Sequence, residues 1–358
     1  MTSHDNERAE QSPFPAPFGR SFPVRAASAV FGAAVEFRNA LYNQLPSLSH
    51  KTKFPVISIG GIRAGGTGKT PTALLVGAYL RDRGHTLAFL SRGYRRRDRR
   101  SRIVKPYETV SWEKIGDEPF LLHDRLPQSW LGIDANRCRA ALHLSALLPQ
   151  NAVFVLDDGF QHRSMRRDLD IVCLCLQDTL QSDRLIPSGW LREPIGALSR
   201  AHAALLIGSP DNATLLEERS TLFSKRFPGL FCTVLFQEMG HWINAGDGRI
   251  APVPPVENPL LVCGIARPER FIAMVRKEGI LPCAERIFPD HHRYITNDFN
   301  KTRELYSKGI ITTEKDAIRL KTLGIVPAEK LWYCTIAMRF AVEKDKKKLY
   351  SLIDTSVS

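Results

Sequence analysis

Ile57-Ser-Ile-Gly-Gly-Ile-Arg-Ala-Gly-Gly-Thr-Gly-Lys-Thr70-Pro-Thr-Ala-Leu-Leu-Val76 reads as a buried strand, a glycine-rich turn and the start of a helix. Glycines let the backbone curl so that successive N–H groups point inward, and the following helix adds its positive end, so residues 63–70 are shaped to hold phosphate. Lys69 is then the residue that reaches the β/γ-phosphates, and the Thr70 hydroxyl is a magnesium ligand. The pattern G-x-x-x-x-G-K-[ST] asks for glycine where Arg63 stands; Gly65, Gly66 and Gly68 supply the flexibility further along, beside Ala64 and Thr67. The bland alternative is an ordinary glycine-rich strand-to-helix turn.

Outward from this loop the chain alternates strands with helical runs. Thr86-Leu-Ala-Phe-Leu90, Val153-Phe-Val-Leu156, Asp170-Ile-Val-Cys-Leu-Cys-Leu176 and Ala203-Ala-Leu-Leu-Ile207 are strand candidates, which predicts a P-loop NTPase-like α/β fold with a mostly parallel sheet. The strand at Val153 runs into Asp157 and Asp158, and carboxylates at such a strand end are the arrangement that holds Mg²⁺ beside bound phosphates. Residues 231–250 alternate and contain Gly246-Asp-Gly248, the signature of a hairpin. Beyond it the α/β pattern restarts through Pro259-Leu-Leu-Val-Cys-Gly264 and Ile310-Ile-Thr-Thr-Glu-Lys-Asp316. The expected order is therefore a polar, proline-bearing N-terminus (1–23), a helix (24–46), a core domain (47–230), a two-stranded linker (231–256) and a smaller α/β domain (257–358).

Charge and composition narrow the partners. Over 358 residues, 50 Lys+Arg against 37 Asp+Glu leave a net +13, which favours anionic partners. Arginines 92, 95, 96, 97, 99, 100 and 102 crowd the loop after Ser91-Arg-Gly-Tyr94, but no nucleic-acid motif or aromatic interleaving accompanies them. A solvated loop, or an anchor for an anionic substrate, fits better than nucleic acid. Seven cysteines form no C-x-x-C pair, as expected of reduced thiols. With no eighteen-residue apolar run and no signal-peptide pattern, a cytoplasmic, non-spanning protein is expected. In the helix over 24–46, Val30, Ala34, Phe37 and Leu41 share a face, flanked by Phe31 and Val35. That face suits either a membrane interface or packing on the protein itself. His291 and His292 lack further metal-ligand spacing, so a zinc site is not expected.

Eight motifs in order resemble the tetraacyldisaccharide 4′-kinase family, the lipid A 4′-kinases of Gram-negative bacteria. They are Ala64-Gly-Gly-Thr-Gly-Lys-Thr-Pro71, Leu90-Ser-Arg-Gly-Tyr94, Gly116-Asp-Glu-Pro119, Asp157-Asp-Gly-Phe-Gln-His162, Leu191-Arg-Glu-Pro194, Gly264-Ile-Ala-Arg-Pro-Glu-Arg-Phe271, Phe288-Pro-Asp-His-His292 and Thr312-Thr-Glu-Lys-Asp316. The resemblance implies transfer of the ATP γ-phosphate, with Mg²⁺, to the 4′-hydroxyl of tetraacyldisaccharide 1-phosphate. It also implies an anionic glycolipid substrate, a peripheral position on the cytoplasmic face of the inner membrane, and no obligate protein partner. Residue by residue it implies a catalytic base at Asp117 supported by His291 from the C-terminal part. It puts metal-region carboxylates at Asp157, Asp158 and Glu193, and substrate contacts at Arg137 and Arg192, to which the basic loop adds Arg92. Two positions depart from the family: Arg63 replaces a small hydroxyl residue, and Gly208-Ser209 stand where a Thr-Lys pair is usual.

A nucleotide-switched membrane ATPase, whose loop reads Lys-Gly-Gly-x-Gly-Lys-Thr, is the rival from another class. Ala64 occupies the position of that loop's first lysine, which argues against it.

Overall fold

The computed structural model describes residues 21–94, 96–175, 184–302 and 308–358. The expectations for residues 1–20, for Arg95 and for the end of a strand at Leu176 lie outside the described residues. The chain forms two compact units: residues 1–69, 158–235 and 340–358 make one, and residues 70–157 and 236–339 the other.

In the first unit, β1 (Val56–Gly60), β6 (Leu169–Cys175) and β7 (Ala203–Gly208) pair in parallel, with Ile59 opposite Ile171 and Val172 opposite Ala204. Every residue of these strands is buried, which is why they read as continuous apolar runs with no alternation. The helix Glu343–Val357 packs on β1 and β6 through Leu349 and Ile353.

The helix Phe22–Gln44 also belongs to this unit, and it settles which of its faces packs. Ser28, Gly32 and Val35 are buried, with the Ser28 hydroxyl donating to the Leu185 carbonyl at 2.7 Å. A Cβ on Gly32 would lie 2.8 Å from Leu185 Cδ1, so glycine is what allows this close approach. Val30, Ala34, Phe37 and Leu41 are exposed, Val30 and Phe37 each at 71%. The helix therefore docks by its small-residue side, and among the described residues nothing buries its large apolar face.

In the second unit, β5 (Ala152–Asp157), β2 (Thr86–Ser91) and β4 (Trp130–Ile133) are parallel neighbours, and β3 (Arg102–Val104) runs antiparallel to β4. β11 (Ala284–Ile287), β10 (Leu260–Cys263), β12 (Ile310–Thr313) and β13 (Leu331–Phe340) form a second parallel group. Trp242, Leu261, Phe271, Val275 and Trp332 fill the core beside that group. β8 (Phe231–Asn244) and β9 (Ile250–Ala251) are antiparallel, Trp242 facing Ala251 around the Gly246-Asp-Gly248 turn. The sheet is mostly parallel and helix-connected, as the alternation of strand and helix patterns predicts.

Candidate functional site

The glycine-rich loop leaves β1 at Gly60 and enters the helix Lys69–Asp82. A Cβ on Gly60 would sit 2.6 Å from the Phe160 backbone nitrogen, so the Asp157-Asp-Gly-Phe segment can lie against β1 only if residue 60 is glycine. Gly65 and Gly68 take left-handed φ values of 88° and 82°. The Thr67 hydroxyl is buried and has no hydrogen-bond partner among the described residues, which suits a loop built to meet acceptor oxygens. Arg63 is buried with its guanidinium 5.9 Å from the Trp190 ring centroid, and the Ala64 N–H donates to the Trp190 carbonyl at 2.8 Å. In place of a small hydroxyl residue, Arg63 thus anchors the loop to the 184–194 segment.

Asp158 faces three donors. Arg192 grips it as a fork, Nη1 to Oδ2 at 2.8 Å and Nη2 to Oδ1 at 2.7 Å, while Lys69 Nζ lies 3.3 Å from Oδ1. Burial opposes ionisation of this carboxyl, but the charges of Lys69 and Arg192 hold it well below the usual carboxylate range. Asp158 has a φ of 48°, a left-handed conformation that Asp tolerates better than most residues.

Glu193 has different surroundings from those its place among metal-region carboxylates leads one to expect. It is fully buried. Its Oε2 accepts from Asn39 Nδ2 at 2.8 Å and pairs with Arg200 Nη1 at 3.0 Å, its Oε1 accepts from Gln161 Nε2 at 3.0 Å, and Arg38 is 3.5 Å away. Burial raises its pKa, but Arg200 and the amide donors more than offset this and lower it. With both oxygens so engaged, Glu193 ties the N-terminal helix to the Arg192 loop.

Thr70 and Asp157 belong to the second unit. Both are buried, and Asp157 Oδ2 accepts from the Ser91 hydroxyl at 3.3 Å, a contact for which the sequence carried no signal beyond the Ser91-Arg-Gly-Tyr94 motif. A hydroxyl and a carboxylate are the hard oxygen donors that Mg²⁺ takes. Among the described residues, no three His, Cys, Asp or Glu side chains converge as a metal cluster. Arg92 is exposed, whereas Arg96 turns inward and donates to the Ile133 and Arg99 carbonyls at 3.2 and 3.1 Å. Arg137, at the start of the helix Arg137–Ser145, is buried and donates to the Ala135 carbonyl at 2.8 Å.

Asp117 opens the helix Asp117–Arg125 behind Gly116, whose φ of 98° sets up the turn. Its Oδ2 is 2.7 Å from His291 Nδ1, across 174 residues of sequence. Burial disfavours the Asp117 carboxylate. The His291 hydrogen bond and the charges of His291, Lys315 and Arg319 overcome that and hold its pKa well below the usual range. His291 is pushed down by burial and up, by more, through Asp117 and Asp290, so its pKa is raised. Lys315 binds the adjacent Glu118 at 2.8 Å, and the Tyr94 ring meets His291 edge-on at 5.7 Å. His292 faces elsewhere, bound to Asp298 at 2.8 Å and stacked on Phe288.

The model of the family described as tetraacyldisaccharide-1-P 4′-kinase matches residues 21–358. The chain belongs to that family. It is 30% identical over 350 residues to tetraacyldisaccharide 4′-kinase of Porphyromonas gingivalis, an alignment covering 90% of this chain and 94% of the relative. Against the enzyme of Anaeromyxobacter sp. strain Fw109-5 it is 35% identical over 314 residues, covering 83% and 82%. A crystal structure of LpxK from Aquifex aeolicus in complex with ATP superposes with a TM-score of 0.74 at 28% identity, covering 94% of this chain and 99% of that one. Membership in a kinase family decides against the switch ATPase. No described helix is long and apolar enough to cross a membrane.

Proposed function

We infer that this protein is the ATP-dependent kinase that transfers a γ-phosphate to the 4′-hydroxyl of tetraacyldisaccharide 1-phosphate in lipid A biosynthesis. The observation that carries the reading is the family match over residues 21–358, together with the left-handed Gly65 and Gly68 ahead of Lys69.

In the proposed mechanism, residues 63–70 cradle the triphosphate and Lys69 turns from Asp158 to the β/γ-phosphates. Thr70, Asp157 and Asp158 would hold Mg²⁺, which would neutralise charge on the phosphates, and Glu193 is left to its contacts with Asn39, Gln161 and Arg200. Asp117 accepts the proton of the 4′-hydroxyl as its oxygen bonds the γ-phosphorus and the bridging oxygen leaves with ADP. His291, hydrogen-bonded through Nδ1, orients that carboxylate and steadies its charge. Arg92, Arg137 and Arg192 are the cations offered to the substrate's anionic groups.

The uncovered face of Val30, Phe37 and Leu41 is the proposed seat on an anionic bilayer, at the cytoplasmic side of the inner membrane. The functional division into a core (47–230), a two-stranded linker (231–256) and a C-terminal domain (257–358) is part of the same reading.

Purified protein incubated with radiolabelled ATP, Mg²⁺ and tetraacyldisaccharide 1-phosphate in mixed micelles tests it. The expected product carries a new 4′-phosphate; ATP hydrolysis with unchanged glycolipid would overturn the assignment.

A further inference from the structure

The motif Thr312-Thr-Glu-Lys-Asp316 has no part in the mechanism above, yet it lies directly behind His291. Thr313 caps the helix Glu314–Leu323, accepting from the Asp316 N–H at 3.2 Å. Asp316 has no exposed surface, and four donors converge on it. Oδ2 accepts from Gly264 N at 3.0 Å and Thr313 Oγ1 at 2.7 Å, while Oδ1 accepts from Tyr294 Oη at 2.8 Å and Arg319 Nη2 at 2.6 Å. A buried carboxylate satisfied on all sides is rigid, because moving it would strand several polar groups at once.

Arg319, three residues on and 3% exposed, extends that rigidity toward the catalytic pair. Its Nη1 donates to the His292 carbonyl at 3.1 Å, its Nη2 approaches the Gly264 carbonyl at 3.4 Å, and Nη1 stands 3.9 Å from Asp117 Oδ2. The Gly264 carbonyl also accepts the His291 N–H at 3.1 Å, so one guanidinium holds the segment on both sides of the His291 ring. His291 sits at a φ of 58°, a left-handed conformation that non-glycine residues keep only when their surroundings fix it. Gly264 leaves no room for a side chain, since a Cβ there would lie 2.9 Å from the Tyr294 hydroxyl.

We propose that Asp316 and Arg319 are positioning residues for this kinase: together they hold the His291 backbone in its left-handed turn, so that Nδ1 stays aimed at Asp117. The inference rests on the reading of Asp117 as the base for its kinetic consequence, but not for its structural one. Lys315 and Asp290 also face the pair, Asp290 Oδ2 lying 3.8 Å from His291 Nε2.

Arg319→Gln removes the charge and the fork; Arg319→Lys keeps the charge and the stem; Asp316→Asn keeps the shape. In the full-length protein labelled with ¹⁵N-histidine, the Nδ1 resonance of His291, assigned by its loss in His291→Ala, reports the bond to Asp117 directly. All three variants are expected to shift it toward the value of an unbonded imidazole. They should also lower kcat by up to about 10²-fold with the KM for ATP little changed, because small misplacements of a reacting group cost that much. In an Asp117→Asn background, Arg319→Lys should add almost nothing. If Arg319→Gln does not fold, Arg319→Lys and Asp316→Asn decide alone. An unmoved His291 resonance in the folded variants, or a loss that multiplies with Asp117→Asn, overturns the inference. If Asp117→Asn itself keeps its kcat, the assignment of the base fails, and the resonance still decides whether Arg319 positions His291.

Discussion

His291 Nδ1 and Asp117 Oδ2 lie 2.7 Å apart, with the Asp117 side chain 7% exposed and that of His291 17%. A carboxylate so held is both dry and oriented, the two properties a base needs to take a proton from a weakly acidic hydroxyl. Asp117→Ala is expected to lower kcat by about 10²–10⁴-fold. Removing His291 should cost less, and the double variant should be much less than multiplicatively worse. Steady-state kinetics of the two single variants and the double variant check this; simple multiplication would mean independent roles.

The same bond gives stability a pH window. The folded pKa of His291 is raised, so its contribution is fully present below the unfolded value of about 6.5 and is lost as pH rises through the folded one. That of Asp117 is depressed, so its contribution is present above about 3.9 and fades as pH falls further. The pair therefore stabilises most between those limits. The Tm difference between wild type and His291→Gln should be larger at pH 6 than at pH 9; a difference that grows with pH contradicts the assignment.

Lys69 rests against Asp158 at 3.3 Å, but Arg192 holds the same carboxylate with two shorter bonds. Lys69→Ala should therefore leave Tm nearly unchanged while kcat falls by about 10²–10³-fold or more, the cost of one electrostatic contact to a transition state. Near-normal turnover would remove Lys69 from the phosphate site.

Glu193 and Asp157 should respond differently to metal. Glu193→Ala leaves Arg200 and Arg38 without their carboxylate and should destabilise by about 3–5 kcal/mol, with the Mg²⁺ concentration for half-maximal activity unchanged. Asp157→Asn should raise that concentration. A Mg²⁺ titration of both variants, at a temperature where each is folded, tells the roles apart.

Two substitution sets separate the faces of the N-terminal helix. Serine at Val30, Phe37 and Leu41 should change stability by no more than about 0.5 kcal/mol per site, yet release the protein from anionic phospholipid vesicles in a flotation assay. Gly32→Leu overpacks against Leu185 and should cost about 1–3 kcal/mol, lowering Tm. Vesicle binding that survives the triple serine variant would place the membrane contact elsewhere.

The glycine-rich loop, the strand ending in Asp157 and the parallel α/β order were legible from sequence alone, because glycine tolerance, apolar runs and helix starts are properties of neighbouring residues. The resemblance carried by the ordered motifs also paired Asp117 with His291. Tertiary structure alone decided the rest. Glu193, one residue from Arg192, turned inward onto Asn39, Gln161 and Arg200, and no local pattern announces partners 154 and 32 residues away. The helix at Phe22 carries apolar residues on more than one side, and only the close approach of Gly32 to Leu185 determined which side is covered. Asp316 and Arg319 read as an ordinary capped helix start. Their bonds to Gly264 and His292 exist because β10 and β12 are adjacent in the sheet, and strand order is set by long-range pairing that a single sequence does not display.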